Sequence, residues 1–253
     1  MIETAEDKTT LPAMDRVFQH LEAGEQRPLT FVSASPSFFE RVLERKMVLD
    51  GIEHDGIALK KFGNVIFSDL LDFDPGSIVA DLENQIGYKL VTLLQLRAEL
   101  PASMPEVLLG DDSEADFVVY NLYDRLLRHE LDVTELDALL EALTVNHHWR
   151  EQIAARLPEV LAEDPAPPLV LYVRATDQGS GHFAYEEWER PTMHRHAGTW
   201  ALALDLFEES LLDESAVLDI RDGLFEQGLS ASDLAAEADA AAFVDPDTAE
   251  QFR

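Results

Sequence analysis

Three short stretches of this chain hold residue types that phosphoryl chemistry needs, and they come in a definite order. Ser33, Ala34 and Ser35 follow an apolar run at 28–32, Lys89 lies inside a helix-periodic stretch, and Gly110-Asp111-Asp112-Ser113-Glu114-Ala115-Asp116 follows an apolar run at 107–109. A hydroxyl beside the backbone N–H groups of a helix start can hold a phosphate, and the stretch Ser33 to Ser35 offers both; the same residues equally suit ordinary helix capping. Lys89, beside Ile86 and Leu90, either balances phosphate charge or carries its ammonium along its own stem to water. Carboxylates crowded at one turn repel, so they stay solvated, take up a proton or share a cation. Clustered oxygen donors suit Mg²⁺, which accepts one or two carboxylates and keeps several waters. Gly110 would let the chain turn sharply beneath this cluster. The alternative is a plain helix start, where the macrodipole favours acids.

These residues need strands and helices to position them. The run at 28–32 reads as a buried strand passing into a helix capped by Ser35 ahead of Pro36, or by Ser37 with Glu40 completing a capping box. Phe39, Val42, Leu43 and Met47 share one helical face, and Asp50-Gly51 supplies the stop. A second strand is expected around Ile57-Ala58-Leu59. Apolar residues then recur at helical spacing from Ile78 to Leu100, where Pro101 ends the helix. The strand at 107–109 runs through the acidic turn into a helix carrying Phe117, Val118, Leu122 and Leu126. Further helices are expected over 133–161, and 169–173 is the plainest strand. This alternation predicts an α/β fold with a mostly parallel sheet covered on both faces, its chemistry at the carboxyl ends of the strands.

No strand is expected beyond about residue 197. Residues 201–253 hold 14 acids against 2 arginines, which reads as a solvated helical extension. The expected division is therefore 1–175 for the α/β domain and 176–253 for the acidic helical extension.

Composition narrows the function. With 253 residues, 46% of them hydrophobic, the chain can bury a full α/β core. It has no cysteine, which excludes disulfides, zinc-thiolate and iron–sulfur sites and thiol nucleophiles. Its formal charge of −31 opposes nucleic acid and anionic membranes, so a phosphorylated substrate needs a local cationic pocket. No apolar run approaches the ~20 residues that cross a bilayer, and residues 1–25 lack a basic-then-apolar leader. A cytoplasmic location is expected. His147-His148 and His194-x-His196 lack the helical i, i+4 spacing with a glutamate that marks zinc proteases and read as structural. Gly179-Ser180-Gly181 reads as a turn.

The wording Phe-Val-Ser-Ala-Ser-Pro at 31–36, Gly-Tyr-Lys at 87–89 and Gly-Asp-Asp-Ser-Glu-Ala-Asp at 110–116 resembles the second, third and fourth motifs of the haloacid-dehalogenase-like phosphatases. The likeness is to the family related to the catalytic domain of yeast actin-patch phosphatidate phosphatase, over roughly residues 10–175. A phosphoacceptor receiver domain uses similar residues in the opposite order. The resemblance implies a Rossmann-like three-layer sandwich and a Mg²⁺-dependent phosphomonoester phosphatase, with a phosphorylated small molecule or lipid head group as substrate. Ser33, Ala34, Ser35 and Lys89 would bind the phosphoryl group, with Ser33 and Lys89 as its catalytic contacts, and Asp111 with Asp112 or Asp116 would hold Mg²⁺.

One motif is missing. Family members begin with a strand ending in Asp-x-Asp-x-Thr/Val, whose first Asp is the nucleophile and second the general acid/base. Residues 1–30 contain no such strand: Glu6-Asp7 follows no apolar run, and Asp15 falls in a helical stretch between Leu11 and Val17. The expectation is therefore a sheet without its central strand, a chain inactive by itself, and about 30–60 further residues in the native product, by the usual size of a strand and its connections. The competing expectation is a non-catalytic binding module that keeps the fold.

Overall fold

The computed structural model describes residues 9–23, 28–36, 39–60, 75–176 and 183–252. Their elements run α1 (Met14–Glu22), β1 (Thr30–Pro36), α2 (Glu40–Leu49), β2 (Gly56–Lys60), α3 (Pro75–Glu99), β3 (Val107–Asp111), α4 (Asp116–Leu127), α5 (Val133–Ala142), α6 (His147–Val160), β4 (Val170–Arg174), β5 (Met193–His196), α7 (Thr199–Glu208), α8 (Glu214–Glu226), α9 (Ala231–Ala240) and α10 (Pro246–Gln251). The chain is α/β with helices in the majority. No described helix is long and apolar enough to cross a membrane.

Packing divides the chain into two compact units. One comprises 1–31, 35–59 and 195–253, the other 32–34 and 60–194. The N-terminal residues thus group with the C-terminal helices, where the sequence suggested a boundary at 175.

In the second unit β3 pairs in parallel with β4, Val107 opposite Val170 through Asp111 opposite Arg174. β5 lies on the other side of β4, giving the order β3-β4-β5. Middle strand β4 is buried along Val170 to Val173, as a strand covered on both faces must be, and this explains its unbroken apolar run. Strands β1 and β2 form a separate two-stranded sheet. The single parallel sheet expected from the sequence is therefore two small sheets. Helices α3, α4, α5 and α6 enclose the core of the second unit, built on Ile86, Leu90, Leu94, Phe117, Leu126 and Leu140. Asp132 and Glu135 form a capping box at the start of α5, and Asn146 caps α6 through the amide of Trp149.

Gly87, two positions before Lys89 on α3, is required for space. A Cβ built on it would lie 2.5 Å from the Cβ of Trp149 on α6, the stem of a bulky side chain rather than a movable tip. Gly87→Ala gains helix propensity but overpacks this contact, and should lower stability by about 1–2 kcal/mol in urea unfolding. A variant as stable as the parent would show that α3 and α6 are free to separate.

The first unit corrects one expectation. The acidic C-terminal helices are not a solvated appendage, because α7 is mostly apolar and buries every residue from Thr199 to Leu206, Asp205 included. Val17 of α1 and Val217, Ile220 and Leu224 of α8 are buried with it. The acids of α8 serve α1: Arg16 pairs with Asp219 at 3.0 Å and Glu226 at 2.5 Å, and His20 lies 3.0 Å from Asp219. Half-buried Glu237 of α9 accepts from the amide of Ala201 at 2.8 Å, which satisfies a free donor in the first turn of α7; partial burial raises its carboxyl above the ordinary value.

Candidate functional site

The carboxyl end of β3 gathers Lys89 and the acidic turn. Helix α3 carries Lys89 to this point with its side chain 8% exposed, and its ammonium donates to Glu114 at 2.6 Å and to Asp116. Burial works against the charge on Lys89, but the two carboxylates outweigh it and hold its pKa above the ordinary lysine value. Asp116 is the first residue of α4, where the macrodipole favours an acid. Its carboxyl is raised by burial, a rise that Lys89 opposes.

Gly110 is needed here for space. It continues β3 and has no left-handed conformation, contrary to the sharp turn expected of it; a Cβ on it would lie 2.6 Å from Oδ2 of Asp116 and 2.7 Å from the hydroxyl of Tyr120. The Tyr120 hydroxyl donates to the carbonyl of Leu109 at 2.8 Å. Burial, then the charges of Asp116, Asp111 and Glu114, push this phenol well above its usual pKa, so it stays a neutral donor.

The other two aspartates of the turn have separate work. Asp111 Oδ1 accepts from the amide of Ser113 at 3.0 Å and its hydroxyl at 2.5 Å, while Oδ2 lies 3.5 Å from Nη2 of Arg174. Asp112 is buried, and its Oδ1 accepts from both the amide and the hydroxyl of Thr176 at 2.7 Å. With the amide of Asp112 donating to the carbonyl of Arg174 at 3.0 Å, the acidic turn is fastened to the chain leaving β4.

Among the described residues no group of three or more His, Asp or Glu side chains is arranged to hold a metal ion. Of the three expected ligands, Asp112 and Asp116 each have an oxygen committed to Thr176 or Lys89. Asp111 has Oδ1 committed to Ser113 and Oδ2 facing Arg174, but its side chain, 31% exposed, is the most accessible of the three. One carboxylate with water and a substrate phosphate is within what Mg²⁺ accepts.

Ser33 lies in the middle of β1, and residues 32–34 belong to the same unit as Lys89 and Asp111. The strand continues through Ser35 to Pro36, and α2 begins only at Glu40 with Phe39 at its cap and no side-chain cap bond. Ser33, Ala34 and Ser35 therefore stand in a strand, not at the helix start that the Ser-Pro pair suggested. The side chains of Ala34 and Ser35, and the whole of Ser37, lie outside the described residues, as does Gly179-Ser180-Gly181.

Arg174 was not visible in the sequence as a site residue. Its signal is positional: it directly follows the apolar strand, and parallel register sets it opposite Asp111. The histidines stay outside the site. His194 and His196 are two apart because they lie on β5, with the His194 ring 5.9 Å from that of Tyr172 and Nδ1 of His196 2.8 Å from the carbonyl of Gly198. His147, exposed at the start of α6, lies 3.3 Å from Glu151.

No family model, no curated protein and no solved structure matches the chain.

Proposed function

We propose that the carboxyl end of β3 is a phosphoryl-handling site of the haloacid-dehalogenase type, that its full reaction is Mg²⁺-dependent hydrolysis of a phosphomonoester, and that these 253 residues alone do not perform it. The observation that carries this reading is Lys89, brought by α3 onto the acidic turn after a parallel strand, in the motif order of that superfamily. Four carboxylates (Asp111, Asp112, Glu114 and Asp116) accompany the two cations Lys89 and Arg174. That excess of negative charge repels a phosphate unless a divalent cation offsets it, and Asp111, the most accessible of the three expected ligands, would hold it. Mg²⁺, when bound, would neutralise phosphate charge. Lys89 and Arg174 would orient the same group, and Ser33 would add a hydroxyl.

The missing part is the nucleophile. Residues 14–22, where an early strand could have carried it, form α1. In the order β3-β4-β5, β3 is an edge strand, and the side where the family sets its first strand has no partner among the described residues. A phosphatidate substrate rests on family likeness alone.

One observation favours a non-catalytic binding module instead: the ammonium of Lys89 is already matched by two carboxylates, Glu114 and Asp116. Hydrolysis of p-nitrophenyl phosphate and of phosphatidate with Mg²⁺ separates the readings, measured on this chain and on one extended by the upstream in-frame sequence. Activity confined to the extended chain, and lost in Asp111→Asn, is the expected result. No activity in either favours the module, and activity of the present chain that survives Asp111→Asn removes the assignment.

A further inference from the structure

The first unit contains a cavity that phosphoryl chemistry leaves unused. It measures about 500 Å³ and is walled by Trp200, Phe225, Leu234, Ala235 and Phe252, with Arg221 at its side. That volume lies within the ~300–1,000 Å³ range of small-molecule sites, and the apolar walls suit a hydrocarbon. Its floor is fixed, since Trp200 is 3% and Phe252 2% exposed, while Phe225 is 39% exposed. Short alanine side chains along α9 leave the space open.

Arg221 distinguishes this cavity from a packing flaw. It is the only basic residue between 201 and 252, in a segment otherwise dense with acids. Its guanidinium stands 5.9 Å from the centre of the Phe225 ring, a cation–π distance. Its acceptors are distant: the carbonyl of Phe252 at 3.4 Å and the carboxylate of Asp222 at 3.5 Å. Its Nε is shielded from solvent and has no partner among the described residues. A guanidinium carries five N–H donors, so most of this one's capacity goes unused among the described residues.

We propose that the cavity binds a medium-chain aliphatic monocarboxylate, with the chain among Trp200, Phe225 and Phe252 and the carboxylate on Arg221. The planar fork of arginine matches a carboxylate. A single cation among many acids suits a monoanion and disfavours a polyanion such as a nucleotide. This site is independent of the phosphoryl reading and stands if that reading fails.

Decanoate and decanol, titrated into the full chain by calorimetry and by tryptophan fluorescence, test it. Decanoate should bind and alter the emission of Trp200. Arg221→Gln should weaken decanoate about tenfold, as loss of a charged hydrogen bond does, and leave decanol unchanged. Ala235→Phe, which fills the cavity, should abolish binding of both while circular dichroism shows the helices intact. Failure of decanoate to bind the parent, or equal binding to parent and Arg221→Gln, overturns the proposal.

Discussion

Replacing Lys89 with methionine should lower the unfolding free energy of the second unit by about 3–5 kcal/mol, the range for removing one partner of a buried ion pair. Lys89 and Asp116 are exposed by only 8% and 14% at their side chains, so solvent does little to relieve the charge left behind. Without the ammonium, Asp116 faces Glu114 and Asp111 with no cation of its own. Methionine restores the volume of the lysine stem, which isolates the electrostatic loss from a cavity. The double variant Lys89→Met/Asp116→Leu should recover most of the stability, because it removes both buried charges. In a Trp200→Phe background the remaining indoles, Trp149 and Trp188, lie in the second unit and report its unfolding in urea. A loss below about 1 kcal/mol would place this pair with surface salt bridges, and no recovery in the double variant would mean that packing rather than charge is at stake.

The result bears on how the site is assayed. A lysine that holds the fold cannot be assigned a chemical role from activity loss alone. Glu114, 45% exposed at its side chain, is the better probe. Glu114→Gln releases part of the charge on Lys89 with little structural cost, so phosphate binding that strengthens in this variant would mark the ammonium as an anion contact.

The elements around Lys89 were legible because each is governed by local rules. Helical periodicity ending at Pro101 gave α3, and the apolar runs before the acidic turn and after Pro168 gave β3 and β4 to within two residues. The acidic turn itself was legible as a cluster, but its partners were not. Thr176 lies 64 positions from Asp112, and Arg174 meets Asp111 only through the register of two parallel strands. Ser35-Pro36 satisfies the pattern of a helix start, yet strand pairing carried β1 through it, an override of local preference by tertiary context. The acidic C-terminal segment was misjudged for a related reason. Charge counted over 53 residues hides the apolar α7, which becomes a core helix once its neighbours pack around it.

Glu106 shows most clearly what spacing cannot reveal. It precedes β3, at the end opposite the acidic turn, and its use is structural. Arg97, 2% exposed in the last turn of α3, donates to Glu106 at 3.2 Å, to the carbonyl of Met104 at 2.7 Å and to that of Pro101, while the Tyr123 hydroxyl donates to Glu106 at 2.6 Å. One guanidinium thus closes the end of α3 and fixes the connection into β3, where the acidic turn begins five residues later. Burial raises the carboxyl of Glu106, with Tyr123 and Arg97 opposing the rise. Arg97→Met should therefore cost about 3–5 kcal/mol at pH 7, since it strands that carboxylate and two carbonyls. The loss should depend on pH. With its cation gone, Glu106 in the folded state holds its proton to still higher pH than the ordinary 4.5, so the folded state binds more protons than the unfolded and stability falls as pH rises. The deficit against the parent should be largest at neutral pH and narrow as pH falls towards 4.5. Arg97→Met/Glu106→Gln should remove this pH dependence, leaving only the cost of the unpaired carbonyls. Urea midpoints of the parent and the two variants across that range decide the matter, and a deficit for Arg97→Met that stays constant with pH would mean the arginine acts on the carbonyls alone.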